Sequence, residues 1–286
     1  MWRKWLLLVG LAATFGGIAL RFQKSSAESQ PHVHTANGGM VGMNHAMATG
    51  DGSPGMVNGL EMKLLAAPAV GDASPVTFKI MNGATAITEF SETHTKLLHF
   101  IAVKKDLSGY QHIHPTLAPD GTWTTTAKLT PGTWRFIADS LPVIPGSMSM
   151  QMTLAAEVVI PGEATVTAPP PVLGRTTSVD GYTVTAKGDI GVGHAHNFTL
   201  TVSKNGTPVT DLGEYLGAYG HLVALDTKTL GYTHLHPGRV ATPGVLVGPD
   251  VVFPAQLPHD GVYKLFFEFN AGGSIHTAEL ALDIYE

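Results

Sequence analysis

The sequence predicts an all-β protein built from two tandem antiparallel β-sandwich domains of the immunoglobulin or cupredoxin-like type. Of its 286 residues, 33 are Gly and 19 are Pro, and only 14% are charged. This composition disfavours long helices and favours short strands joined by turns. Segments of alternating polarity, such as residues 182–186, recur between frequent turn signals, as in antiparallel sheets. The chain also repeats itself at a spacing of about one domain, which indicates a tandem architecture.

The composition excludes several classes of function. The chain has no cysteine, which rules out disulfides, thiolate metal sites, iron–sulfur clusters and cysteine nucleophiles. The formal charge is −5, and the only basic cluster lies at the extreme N-terminus. Binding to nucleic acid requires a positive stripe or patch, so we expect no nucleic-acid partner. The 14 histidines are an unusually large number for this length.

Residues 1–27 predict an export segment. An uncharged run over residues 5–20 is flanked by basic residues on both sides. As a helix the run would extend about 24 Å, short of the roughly 30 Å hydrocarbon core of a bilayer. Both a cleaved signal peptide and a retained membrane anchor remain open. Either one places the rest of the chain outside the cytoplasm, in the periplasm or at the cell surface.

Residues 28–56 predict a flexible tether, because they are rich in Gly, Ser, Asn and Ala and have no apolar periodicity. The segment also carries seven side chains that bind soft metals, namely His32, His34, Met40, Met43, His45, Met47 and Met56. They are either incidental or form a loose arm that captures a metal ion such as copper.

An internal duplication is the strongest feature of the sequence. Residues 99–115 and 221–237 share the pattern His, an apolar strand, Gly-Tyr and then His-x-His-Pro, at a constant offset of 122. The similarity extends upstream and downstream of both segments. The Pro-rich residues 163–173 read as a stiff spacer. They separate a first domain at 57–162 from a second at 174–286.

Each repeated segment predicts a β-hairpin that brings three histidines together. With a four-residue turn, residues whose numbers sum to 213 face each other, so His99 lies opposite His114. His112 is two residues along the same strand and therefore shares their face. Opposite Cβ atoms lie about 5 Å apart and diagonal ones about 7 Å, within reach of one ion. The second repeat predicts the same arrangement for His221, His234 and His236. Imidazoles are common ligands of copper and zinc, so each hairpin is a candidate metal site.

A fourth ligand is predicted from the last strand of each domain. Alignment of the two domain ends sets Met152 against His276. The first site would then contain three histidines and a thioether, which favours copper, with zinc as the alternative ion. Asp139 and Glu268 also occupy matching places, and a carboxylate can orient a ligand imidazole.

The same histidines also have a structural interpretation. Ile101 and Val103 share the predicted face of His99, so the histidines can line the rim of a sandwich core. In that case the protein would be a cell-envelope module that binds another protein. We expect no enzyme, because the sequence has no phosphate-binding Gly-rich loop, no nucleophile elbow and no His-Glu-x-x-His motif. A metal-dependent envelope enzyme is the weakest of the three hypotheses.

The His-x-His-Pro motif after an apolar hairpin, at residues 221–237, together with residues 272–277, resembles a group of exported bacterial proteins with duplicated β-sandwich domains. A single domain is also distantly similar to the YtkA-like family of small extracytoplasmic β domains, some of which are associated with copper handling. The resemblance covers most of residues 57–286 and implies a fold and a location but no activity. The N-terminal histidine ligand of classical periplasmic copper carriers has no equivalent here.

Overall fold

A computed structural model describes residues 50–163 and 168–285. Strands, turns and loops account for all of these residues, and no helix that could cross a membrane occurs among them. The prediction of an all-β fold with two repeated sandwich domains is therefore confirmed. The predicted export segment and the tether up to residue 49, with six of its seven His and Met side chains, lie outside the described residues.

The first domain is a sandwich of two antiparallel sheets. Its strands are β1 (Leu60–Leu64), β2 (Gly71–Asn82), β3 (Thr85–Ala86), β4 (Phe90–Ser91), β5 (Leu98–Lys104), β6 (Gln111–Ile113), β7 (Thr116–Leu117), β8 (Trp123–Leu129), β9 (Gly132–Pro142) and β10 (Met152–Ile160). One sheet has the order β1-β2-β8-β7, with β3 beside β2. The other has the order β10-β9-β5-β6, with β4 beside β9. Aromatic side chains such as Trp123 and Phe100 fill the space between the sheets.

The second domain repeats this plan. Its strands are β11 (Thr176–Val179), β12 (Tyr182–Lys187), β13 (Gly191–Val192), β14 (His196–Lys204), β15 (Thr207–Pro208), β16 (His221–Asp226), β17 (Tyr232–Leu235), β18 (Asp250–Leu257), β19 (Gly261–Ala271) and β20 (Ser274–Ile284). One sheet runs β11-β12-β14-β18-β13, with β15 beside β14. The sheet β17-β16-β19-β20 corresponds strand for strand to β6-β5-β9-β10 of the first domain.

The two corresponding sheets face each other and bury an apolar cluster between the domains. Every residue of β5 and of β16 is buried. Successive residues of a strand point to opposite faces, so this burial requires a covered surface on both sides of each sheet. The inner faces contact their own sandwich cores, and the outer faces form the interdomain cluster. Its members are Ile101, Val103, Leu107, Ile137, Ala155, Val223, Leu225, Leu230, Tyr232 and Phe266.

The chain just before the first domain also binds at this interface. The Tyr232 N–H donates to the Asp51 carbonyl at 2.9 Å. The Arg135 guanidinium donates to the Gly52 carbonyl at 2.7 Å. Asp51 and Gly52, near the end of the segment predicted as a flexible tether, are thus hydrogen-bonded to the two domains.

Candidate metal centre

The hairpins have the predicted register. In the first domain Ile101 pairs with His112, and the numbers of the paired residues sum to 213. In the second domain Val223 pairs with His234, at the same place in the repeat. This register sets the three histidines of each hairpin on the outer face of the sheet, the face that the other domain covers.

The first triad consists of His99, His112 and His114, and its hydrogen bonds fix the tautomers of two rings. His99 Nε2 lies 3.0 Å from the Thr93 carbonyl, which only accepts, so Nε2 carries a proton. His112 Nδ1 lies 2.6 Å from a carboxylate oxygen of Glu268, so Nδ1 carries a proton. In the neutral rings, His99 Nδ1 and His112 Nε2 then present lone pairs to each other at 2.9 Å. Two facing lone pairs repel unless a cation lies between them.

The second triad, His221, His234 and His236, repeats this pattern. His221 Nε2 lies 3.2 Å from the Tyr215 carbonyl, and His234 Nδ1 lies 3.4 Å from a carboxylate oxygen of Asp139. His221 Nδ1 and His234 Nε2 face each other at 3.1 Å. In the neutral rings, the same contact between two acceptor nitrogens therefore occurs in both repeats, at atoms that the sequence relates by the offset of 122.

The third histidine of each triad completes a group with the spacing of metal ligands. In each triad one nitrogen from every ring lies within 4.8 Å of the others. The ring centres are 4.8–5.1 Å apart in the first triad and 4.2–5.3 Å apart in the second. Two imidazoles on one tetrahedral ion, with metal–nitrogen bonds of about 2.0 Å, have ring centres about 5 Å apart. The buried Nε2 of His114 has no hydrogen-bond partner among the described residues. Both triads can therefore hold a metal ion.

Burial keeps three of these rings in the form that binds metals. It lowers the pKa of His99 and of His221 well below the usual range, and the nearby His112 lowers both further. For His114, burial and then His112 lower the pKa to about 3. A neutral imidazole has a lone pair available for a metal, whereas a protonated one has none.

The carboxylate beside each triad comes from the opposite domain. Glu268 lies on β19 of the second domain and contacts His112 of the first. Asp139 lies on β9 of the first domain and contacts His234 of the second, and it also accepts from the Tyr232 hydroxyl at 3.1 Å. Asp139 and Glu268 are both buried. The sequence predicted an orienting carboxylate for each site but not this exchange across the interface.

The structure also brings the two triads together. The His234 ring centre lies 5.0 Å from that of His99 and 5.5 Å from that of His112, which is comparable to the spacing within a triad. The sequence predicted one site in each domain, with no relation between them. One feature of the sequence indicated that another domain covers this sheet, namely the run of apolar residues 100–103. A strand that is apolar on both faces is typical of a sheet covered on both sides.

His94 is a neighbour of the second triad that the sequence did not assign. It belongs to the first domain, and its ring stacks on that of His236 with the centres 3.4 Å apart. Its backbone φ is +51°, a conformation that few residues other than Gly adopt. Leu216, with a φ of +54°, occupies the equivalent place in the repeat, so the surroundings of the second triad differ from those of the first.

The structure does not bring the predicted fourth ligands, Met152 and His276, to either triad. Met152 packs in the core of the first sandwich. His276 Nδ1 lies 2.8 Å from a carboxylate oxygen of Asp180. The alignment of the two strands is correct, but the face is not, because Thr153 and Thr277 are the residues paired with Asp139 and Glu268. A shift of one residue along a strand reverses the direction of the side chain.

A protein-family model described as a domain of unknown function, DUF8832, matches residues 55–142 and 177–286. The chain belongs to this family. The two matched regions are the two repeats, one in each sandwich, in agreement with the duplication. A sequence comparison with curated proteins finds no significant match.

Several solved structures resemble the DUF8832 chain at low similarity. A red sea bream transglutaminase is 15% identical over 81% of this chain and 32% of its own, with a TM-score of 0.21. A putative membrane anchored protein from Corynebacterium diphtheriae is 9% identical over 80% and 59%, with a TM-score of 0.23. A DUF3823 family protein from Parabacteroides merdae is 11% identical over 71% and 94%, with a TM-score of 0.21. The chain thus spans less than two thirds of the first two proteins, and TM-scores this low carry no argument about fold or function.

Proposed function

We propose that this protein is an extracytoplasmic metal-binding protein that holds one copper ion in each histidine triad. The observation that carries the proposal is the pair of facing ring nitrogens, both acceptors when the rings are neutral, at 2.9 Å in the first triad and 3.1 Å in the second. Two ligands on one ion, each about 2.0 Å from it, have their nitrogens roughly 3 Å apart. A metal ion at this place would turn a repulsive contact into two bonds.

Copper is the preferred ion for two reasons. Imidazole sites generally bind divalent copper more tightly than zinc, which follows it in the order of first-row affinities. The His and Met side chains of residues 28–56 suit copper in both oxidation states. Export by the N-terminal segment, as a cleaved signal or a retained anchor, would place the protein where it can capture, store or deliver the ion.

We propose handling of the ion rather than catalysis. A catalytic metal keeps a coordination position open to its substrate. His99, His221 and His234 are fully buried between the domains, which favours retention of an ion over access by a substrate.

The rival hypothesis is an envelope interaction module in which a proton, rather than a metal, lies between the facing nitrogens. The carbonyl and carboxylate contacts of the rings favour it, since they would also stabilise a protonated, hydrogen-bonded histidine pair. This hypothesis predicts a folded protein that binds no stoichiometric metal.

Elemental analysis distinguishes the two hypotheses. The untagged protein is incubated with equal concentrations of divalent copper and zinc, desalted and analysed for both metals. We expect about two copper ions per chain, and about one in His234→Ala. His276→Ala is the matched control, because His276 lies outside both triads, and it should retain two. A folded wild-type protein that carries no metal would overturn the proposal and support the interaction module.

A further inference from the structure

We propose that the two triads form a single dinuclear centre, in which two divalent copper ions lie within about 8 Å of each other across the domain interface. This inference rests on the proposed metal binding and goes beyond it by joining two sites into one. Its basis is the distance between the triads, the exchange of carboxylates between the domains and the burial of the rings.

The distances limit the separation of the ions. The ring centres of His99 and His112 lie 5.1 Å apart, and those of His221 and His234 lie 5.3 Å apart. Across the interface, the four distances between these two pairs are 5.0, 5.5, 6.2 and 6.3 Å. Together these values place the midpoints of the two pairs about 4.5 Å apart, for rings bound in the usual metal–imidazole geometry.

Each ion must lie close to the midpoint of its own pair. A metal bound to an imidazole nitrogen is about 3 Å from the centre of the ring, so it is within about 1.7 Å of the midpoint between two rings 5 Å apart. Adding this displacement at both ends gives a separation of at most about 8 Å. At that distance two paramagnetic ions interact magnetically, and a small ligand such as hydroxide can bridge them if they approach more closely.

The buried carboxylates neutralise part of the charge that two adjacent cations would bring. Six neutral imidazoles contribute no charge, and two divalent ions in a buried site repel each other strongly. Asp139 and Glu268 bring two negative charges to this interface, and each contacts a histidine of the other domain. Each ion would therefore be held by one domain and partly neutralised by the other, which makes the centre a property of the pair of domains.

Electron paramagnetic resonance of the full chain tests the inference, with divalent copper as the probe. The wild-type protein is loaded with two copper ions, and the copper content is measured on the same sample. We expect an integrated mononuclear signal well below the copper content, together with a half-field transition. Two bound ions that give two undiminished mononuclear signals would overturn the inference and leave the metal binding intact.

A mixed-metal sample provides the control without any mutation. Wild-type protein loaded with about a tenth of an equivalent of copper and then with an excess of zinc contains copper almost entirely beside a diamagnetic neighbour. The mononuclear signal should then account for all of the copper, and His236→Ala with one copper ion should give the same result. Retention of a single ion by the wild-type protein would also overturn the dinuclear centre. Retention of no metal at all would overturn the proposed function itself.

Discussion

Replacement of Glu268 by Gln removes the negative charge beside His112 and keeps the shape of the side chain. Glu268 lies in the second domain, but the ring that it orients belongs to the first. We therefore expect Glu268→Gln to weaken the ion of the first domain. A carboxylate partner fixes the tautomer of a ligand imidazole and makes its other nitrogen a better donor to the metal.

The size of the effect follows from the geometry of the contact. Loss of such a partner typically costs 10- to 100-fold in metal affinity, which corresponds to about 1.4–2.7 kcal/mol. The contact is short, at 2.6 Å, and both side chains are almost fully buried, so we expect a loss near the upper end of this range. Asp139→Asn should have a smaller effect on the ion of the second domain, because the Asp139–His234 distance is 3.4 Å.

The affinity is measured by titration with divalent copper against a chelator of known affinity. His234→Ala serves as the background, since it leaves only the first triad complete. Glu279→Gln is the matched control, because Glu279 is half-exposed and pairs with Lys264 away from the triads. An unchanged affinity in the Glu268→Gln variant would refute the role of the carboxylate across the interface.

Three further predictions concern stability. Phe266→Ala removes a fully buried aromatic ring from the interdomain cluster. It should lower the free energy of unfolding, measured in urea, by about 3–5 kcal/mol. A decrease below about 1 kcal/mol would mean that the domains do not pack as described. Gly109→Ala should lower the stability by about 1–3 kcal/mol in thermal unfolding, since φ is +68° and the new Cβ would lie 2.8 Å from the Trp134 ring. In the metal-free folded protein the pKa of His99 and of His221 is lowered, so below about pH 6.5 the unfolded chain binds more protons than the folded one. As the pH falls below this value, the free energy of unfolding should therefore decrease by about 1.4 kcal/mol per pH unit for each ring. Denaturant titrations between pH 7.5 and pH 5 on the metal-free protein check this, and a flat profile would contradict it.

The parts of the candidate centre that depend on local sequence were predictable. Residues 99–115 contain both strands of a hairpin and the turn between them, so the spacing alone determines which side chains share a face. The register in the structure is the one expected, with Ile101 opposite His112. The alternation of side chains along a strand also explains why the predicted fourth ligands do not reach the triads. Met152 and His276 were predicted as ligands because the alignment of the domain ends sets them against each other, whereas the next residue of each strand is the one paired with a carboxylate.

The contact between the domains could not be predicted in the same way. It depends on side chains more than 100 residues apart in sequence, and no local pattern specifies which face of one domain meets which face of the other. Ile101 and Val103 were assigned to a possible sandwich core, but the structure places them in the interdomain cluster. Their apolar character indicated burial, and only the three-dimensional arrangement shows what covers them.

The exchange of carboxylates has a consequence for the origin of the molecule. Each domain offers the other the same surface, with Glu268 contacting His112 and Asp139 contacting His234 at equivalent places. Such reciprocity is the property of an isologous interface, the kind found in two-fold symmetric homodimers. A single-domain ancestor would therefore have assembled as a symmetric pair. Fusion of two such copies into one chain would replace association between molecules by a high effective concentration and would allow the halves to differ, as they do at His94 and its equivalent Leu216.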